Sequence, residues 1–245
     1  MHLLIDVGNS RVKWLLVDNE FDDSLEIHYG NISDLENFIK EIDVSKTEVL
    51  LAAVNQTQEL STLLNNSGFR KVTIARSQLE QAGVINSYDQ AERMGIDRWL
   101  AMIAAHASSL QRNEKQGVIV VDAGSALTID VLKSDGVHLG GYIVPGLLMA
   151  QSALFANTER VVRYDEAIDS GSQLGKYNKL GNNTLQCVEY GVINQLVALV
   201  QSVIDQHSGY EIIFTGGDGE MLAGFFTTGI VDKNLVLKGL WQVRI

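Results

Sequence analysis

The sequence predicts an α/β protein built from two similar halves, and three observations carry that expectation. Leu3-Leu4-Ile5-Asp6-Val7-Gly8-Asn9-Ser10 and Ile119-Val120-Val121-Asp122-Ala123-Gly124-Ser125-Ala126 share one pattern at an offset of 116 residues: an apolar run, Asp-x-Gly, then small polar residues. Each half opens with strand-like runs and continues with helical ones. The polar stretch Arg112 to Gly117 falls just before the second copy and marks a boundary, dividing the chain into domains at 1–114 and 115–245.

The short, β-branched runs on either side of each Asp-x-Gly read as buried strands. They return as Val12 to Val17 and Leu127 to Leu132, so each Asp-x-Gly reads as a hairpin turn. Leu35 to Ile42 reads as a helix, Glu48 to Val54 as a strand and Gln58 to Asn65 as a second helix. In Arg98 to Leu110, Trp99, Ile103, Ala107 and Leu110 recur at helical spacing. Gly140 to Gly146, with the chain's only proline at Pro145, reads as a shaped loop, and Gly171 to Asn183 as loop. Leu185 to Ile204 is a long amphipathic helix, Glu211 to Phe214 a short strand, and Glu220 to Phe226 a helix.

Composition narrows the function. Hydrophobic residues at 46% and charged residues at 20% describe a globular core and exclude a disordered chain. A net charge of −11 works against nucleic-acid binding, which needs a basic face. An acidic protein binds a single nucleotide through local donors: backbone N–H groups, a few cations and a metal ion. The single cysteine, Cys187, forms no intrachain disulfide and is expected to pack as a small hydrophobe. The chain reads directly into Leu3-Leu4-Ile5 without a basic leader, and no run of 18 apolar residues is present, so the expected compartment is the cytoplasm without a membrane span.

Four motifs carry chemistry. A tight turn after a buried strand aims N–H groups outward, so Asp6-Val7-Gly8-Asn9-Ser10 suits phosphate oxygens, with Asp6 as a Mg²⁺ ligand and Arg11 or Lys13 adding charge. An Asp that merely satisfies its own turn explains a single copy. The second copy, Asp122 to Thr128, points to a nucleotide clamped by its phosphates across a cleft. Thr215-Gly216-Gly217-Asp218-Gly219 joins a strand to a helix, where glycines let backbone lie against a base or ribose; a bland turn explains it nearly as well. It lacks the Lys-Ser/Thr ending of a Walker A loop. Gly95-Ile96-Asp97-Arg98 opens a helix. Asp97 reads either as an N-cap beside a solvated Arg98, or as a carboxylate that takes the proton of an attacking hydroxyl. The five histidines lack metal spacing, and no G-x-S-x-G elbow supports a hydrolase triad.

With these motifs in this order, the sequence resembles type III pantothenate kinase from Leu3 to the glycines after Thr215. The family's Asp-x-Gly-Asn-Thr/Ser motif is similar to Asp6 to Ser10, its second phosphate motif to Asp122 to Thr128, its Gly-x-Asp-Arg signature to Gly95 to Arg98, and its adenosine motif to Gly216-Gly217. The resemblance implies a duplicated ribonuclease-H-like fold, shared with acetate kinase, sugar kinases, actin and Hsp70. It implies Asp97 as the base and ATP contacts from Asp6, Val7, Gly8, Asn9, Ser10, Arg11, Val12, Lys13, Ser125, Gly216 and Gly217. It further implies pantothenate contacts from Tyr88, Gly95, Ile96, Asp97, Arg98 and Thr184, with Mg²⁺ near Asp6 and a monovalent cation, K⁺ or NH₄⁺, at Asp122. The family works as a homodimer with its acceptor site at the subunit interface. The chain departs from the pattern at Ala91, where the family has Pro three residues after the tyrosine matched by Tyr88, and at Ser125, where it has Thr.

The implied reaction converts ATP and pantothenate to ADP and 4′-phosphopantothenate, the first step of coenzyme A biosynthesis. Rival readings are a kinase for acetate or a sugar, an ATP-gated chaperone-like protein, and a non-catalytic transcription accessory factor of the same fold. The chain has no room for a chaperone's substrate domain, and the Asp97-Arg98 pair argues against a dead site.

Overall fold

The structure is a computed structural model that describes residues 1–8, 12–22, 24–53, 58–112, 116–157 and 179–244. It divides into two compact units, Met1–Asn113 with Leu132–Leu139 and Asn234–Ile245, and Glu114–Val131 with Gly140–Lys233. Two later segments belong to the first unit.

The first unit opens with β1 (His2–Val7), β2 (Val12–Val17) and β3 (His28–Gly30), followed by α1 (Ile32–Lys40), β4 (Glu48–Ala53), α2 (Gln58–Asn66) and β5 (Lys71–Ile74). Its sheet runs β3-β2-β1-β4-β5, antiparallel through the first three strands and parallel from β1 onward. Alternation along the strands decides the faces. Leu3, Ile5, Val7, Trp14, Val49 and Leu51 pack against Leu35 and Ile39 of α1 and Leu60 and Leu64 of α2. Asn31 and Asp34 close a reciprocal capping box that starts α1. A small hairpin, β6 (Glu80–Gln81) and β7 (Val84–Ile85), precedes α3 (Ile96–Gln111).

α3 differs from its expected single apolar stripe. It is buried nearly all round, from Arg98 through His106, while Leu110 is exposed. The second covering layer is the C-terminal helix, described below, so burial on several sides replaces the amphipathic pattern.

The second unit contains β8 (Val118–Ala123), β9 (Ala126–Leu132), β10 (His138–Pro145), α4 (Leu147–Asn157), α5 (Thr184–Gln206), β11 (Glu211–Thr215), α6 (Gly219–Ala223) and β12 (Ile230–Val231). Its sheet runs β10-β9-β8-β11-β12, the same order as the first. Ile119, Val121, Leu127, Ile129, Ile212 and Phe214 pack against Val192, Leu196, Val200 and Val203 of α5. The stretch expected as a loop at 140–146 is instead the greater part of β10. Pro145 is tolerated there because β10 is an edge strand and the proline ends it. α5 is long and apolar enough to cross a membrane by length and composition, and it spends its apolar face on this sheet.

The chain ends with α7 (Leu235–Gln242), which packs on α3, β1 and β4 in the first unit. Both units thus carry a mixed sheet of ribonuclease-H-like order with helices on it, and the fold is the expected duplication.

Candidate functional site

In the first unit, Asp6 and Lys13 are register partners on adjacent antiparallel strands. Alternation puts both on the face opposite α1 and α2, where α3 and α7 lie. Asp6 is 9% exposed. Burial pushes its carboxyl from 3.8 up to about 6, while Lys13 pulls it down and the Asp97 charge adds to the rise. The Asp6 and Asp97 carboxylates, 91 residues apart in sequence, therefore sit close enough to feel each other. Val7 ends β1 buried, Gly8 is exposed, and Val12 opens β2. Asn9, Ser10 and Arg11 lie outside the described residues.

Gly95 is the N-cap of α3, with Ile96 and Asp97 in its first turn. The Asp97 carboxylate therefore does not cap the helix. Its Oδ1 accepts the N–H of Arg98 at 2.8 Å. A Cβ on Gly95 would lie 2.6 Å from that oxygen, so the glycine leaves the space into which the carboxylate folds back. Ile96 is buried beneath the turn. Arg98, expected as solvated, is 5% exposed. Its Nη1 donates to Tyr88 Oη at 2.8 Å, and its guanidinium lies 5.7 Å from the Tyr88 ring centre.

The Tyr88 loop is held without a proline. Tyr88 N–H donates to Asn86 Oδ1 at 3.0 Å, and Met94 N–H closes a 3-10 turn on Ala91 O. Buried Ser77 donates to Met94 O, and Trp99 Nε1 to Gln81 Oε1, tying both ends of the loop to the hairpin region. Asp6, Lys13, Tyr88 and the Gly95–Arg98 turn all belong to the first unit.

The second unit gathers a second set. β8 and β9 meet across the two-residue turn Gly124-Ser125, with Gly124 N–H donating to Ala126 O. Asp122 is the register partner of Thr215 on the face away from α5. The loop after Thr215 wraps over the end of β8: Asp218 N–H donates to Ala123 O, and Gly216 adopts φ +87° with its Cα against the Asp122 carboxylate. Any side chain at 216 would collide with that carboxylate and with Ala123 O. Gly146 N–H donates to Ser125 O. Ser125 and Gly217 are exposed. A recess lies beside this loop, lined by Gly124, Leu127, Gly146, Asp218 and Met221 among others. Thr184 is exposed at the first helical position of α5, whose N-cap Asn183 accepts from Gln186 N–H.

Two metal readings meet the geometry differently. The described residues contain no group of three or more His, Cys, Asp or Glu side chains. Asp6 is a buried carboxylate whose ionisation a nearby cation would favour, which fits Mg²⁺ carried mainly by phosphate oxygens. Asp122 stands beside Thr215 and the Ala123 carbonyl, an all-oxygen set of the kind a hard cation takes.

Sequence reasoning missed Asp130, His138 and Ser87 and misplaced Cys187. Asp130 is 1% exposed, a carboxylate inside the apolar run 127–132, and that break in the pattern was its available signal. His138 and Ser87 share a hydrogen bond across 51 residues, which no local pattern announces. Cys187, expected as packed, is exposed, with Sγ donating to Gly181 O.

Comparison with known proteins adds an independent line. The family model for type III pantothenate kinase matches residues 2–206. A type III pantothenate kinase from Pseudoalteromonas translucida (strain TAC 125) is 37% identical over 244 residues, covering 98% of this chain and 94% of the relative. Among solved structures, a Campylobacter jejuni protein described as a Baf family transcriptional activator is 26% identical, with a TM-score of 0.62, over 98% of this chain and 96% of that one. A Sinorhizobium meliloti protein described as a 2-dehydro-3-deoxygalactonokinase shares the fold, with a TM-score of 0.58, 12% identity and coverage of 98% and 95%.

Proposed function

Because the chain belongs to the type III pantothenate kinase family, its activity is the ATP-dependent phosphorylation of pantothenate that opens coenzyme A biosynthesis, and we propose that Asp97 is the base of that transfer. The pantothenate primary hydroxyl attacks the γ-phosphorus in line, its proton passes to Asp97, and ADP leaves. The observation that carries this reading is the placement of the Asp97 carboxylate: fixed by Arg98 N–H at the start of α3 and near enough to Asp6 to bear on its charge. Among the described residues, the second Asp97 oxygen makes no hydrogen bond and is left for the acceptor proton. Positioning and electrostatics supply most of such a transfer.

Asp6 to Lys13, Ser125, Gly216 and Gly217 bind ATP on this reading, and Tyr88, Gly95, Ile96, Arg98 and Thr184 bind pantothenate. Mg²⁺ held with Asp6, and K⁺ or NH₄⁺ held with Asp122, offset phosphate charge when bound. A homodimer is supported by the exposed apolar side chains Tyr142 and Ile143 of β10 and Leu148, Met149 and Leu154 of α4. The core-facing packing of α5 supports a cytoplasmic protein with no membrane partner. The net charge of −11 works against a nucleic-acid partner, and the family favours the kinase over a regulator.

The test is ADP release from ATP, Mg²⁺ and K⁺ with a panel of pantothenate, acetate and sugars. ADP release that depends on pantothenate is expected. Release driven by acetate or a sugar, or by none of the panel, contradicts the reading.

A further inference from the structure

The turn between β9 and β10 belongs to the first unit, although the strands it joins lie mostly in the second. Ile85 N–H of β7 donates to Gly136 O, and Ile85 pairs with Val137 in a parallel bridge. The residue after that bridge is His138, 2% exposed. Its Nδ1 lies 2.9 Å from Ser87 Oγ, and its ring stacks on Tyr88 at 6.4 Å between centres and 27° between planes. Tyr88 in turn accepts from Arg98 Nη1.

A buried imidazole is expensive to place without a partner, so its contacts carry information about what it holds. Two of them fall on the successive residues Ser87 and Tyr88 that lead to the acceptor turn. The Tyr88 ring is half-buried and meets His138 and the Arg98 guanidinium.

We propose that His138 is a positioning residue for the acceptor: through Ser87 and the Tyr88 ring it sets the direction of the Arg98 guanidinium toward pantothenate. The inference rests on the proposed roles of Tyr88 and Arg98. It makes His138 a determinant of acceptor affinity rather than of phosphoryl transfer.

The experiment measures steady-state kinetics and melting temperature for His138→Phe, which keeps a ring but loses Nδ1, for exposed Ser87→Ala, for the double variant, and for Tyr88→Phe. Each of the first two is expected to raise KM for pantothenate about three- to tenfold, the size of one lost hydrogen bond. Their kcat and KM for ATP are expected to stay within about twofold, and the double variant to be no worse than the poorer single, because both remove one interaction. Should His138→Phe fail to fold, Ser87→Ala alone carries the same expectation. Unchanged pantothenate KM in Ser87→Ala and His138→Phe, with KM raised in Tyr88→Phe, overturns the role of His138 alone. Additive effects in the double variant, or a lowered melting temperature with unchanged KM, also overturn it. Unchanged KM in Tyr88→Phe as well would place the failure in the acceptor assignment itself.

Discussion

Asp97 owes its conformation to the residue two before it. A methyl group on Gly95 would approach Asp97 Oδ1 to 2.6 Å, and the flexible carboxylate would give way. A displacement near 1 Å at a reacting group lowers rate by about 10²-fold. Gly95→Ala is therefore expected to lower kcat by that order while the melting temperature changes little, checked by paired kinetics and thermal melts. Asp6 gives a pH signature. Its folded pKa is raised to about 6 by burial, so the native state binds this proton more tightly than the unfolded chain. The resulting stability is complete below the ordinary value of 3.8 and is lost as pH rises through about 6. Asp6→Asn is expected to melt higher than the wild type above pH 6, by up to on the order of 3 kcal/mol, and to converge with it near pH 4. Melts across that range check it. Asp6, Asp97 and Arg98 were legible in the sequence by type and order. The burial of Arg98 was not, because its cover is Tyr88, and a contact across ten residues of loop leaves no periodic trace.

Elements were legible where one pattern had one cause. β1, β2, β8 and β9 read as apolar β-branched runs because their residues are buried in nearly unbroken succession, and α5 as a long helix because it packs its apolar face on one sheet. β10 escaped because its glycines and proline signal a loop, and only its place at a sheet edge permits them in a strand. α7 escaped because its apolar residues crowd into eight positions, too short a window for a period to show. Yet α7 is central to the first unit: Leu240 is fully buried, and the helix packs on α3 as well as on β1 and β4. Leu240→Ala is expected to destabilise the protein by about 2–5 kcal/mol. Denaturant titration followed by fluorescence checks it, and a change below about 1 kcal/mol would show that α7 contributes little.

At the scale of the molecule, the offset of 116 residues between the two Asp-x-Gly turns announced the duplication, and both sheets have one strand order. The composition of the units was less legible. Nothing in the patterning of 132–139 or 234–245 assigns either segment to a half, so the return of both to the first unit left no sign in the sequence. The duplicated turns also bear on ion dependence. Lys13 stands opposite Asp6, whereas at the same offset of 116 residues the second copy has the apolar Ile129, which packs toward α5. On the proposed reading, K⁺ or NH₄⁺ held with Asp122 offsets phosphate charge in the second unit. Replacing K⁺ by Na⁺ at constant ionic strength is expected to lower kcat, and equal rates in the two salts would remove the cation from Asp122.

The base assignment meets its most direct test in the kcat of Asp97→Asn. The substitution keeps the size of the side chain and removes its basicity. General-base catalysis contributes about 10²–10⁴-fold, and kcat is expected to fall by that order with ATP affinity retained. A variant that turns over pantothenate at near the wild-type rate would contradict the account.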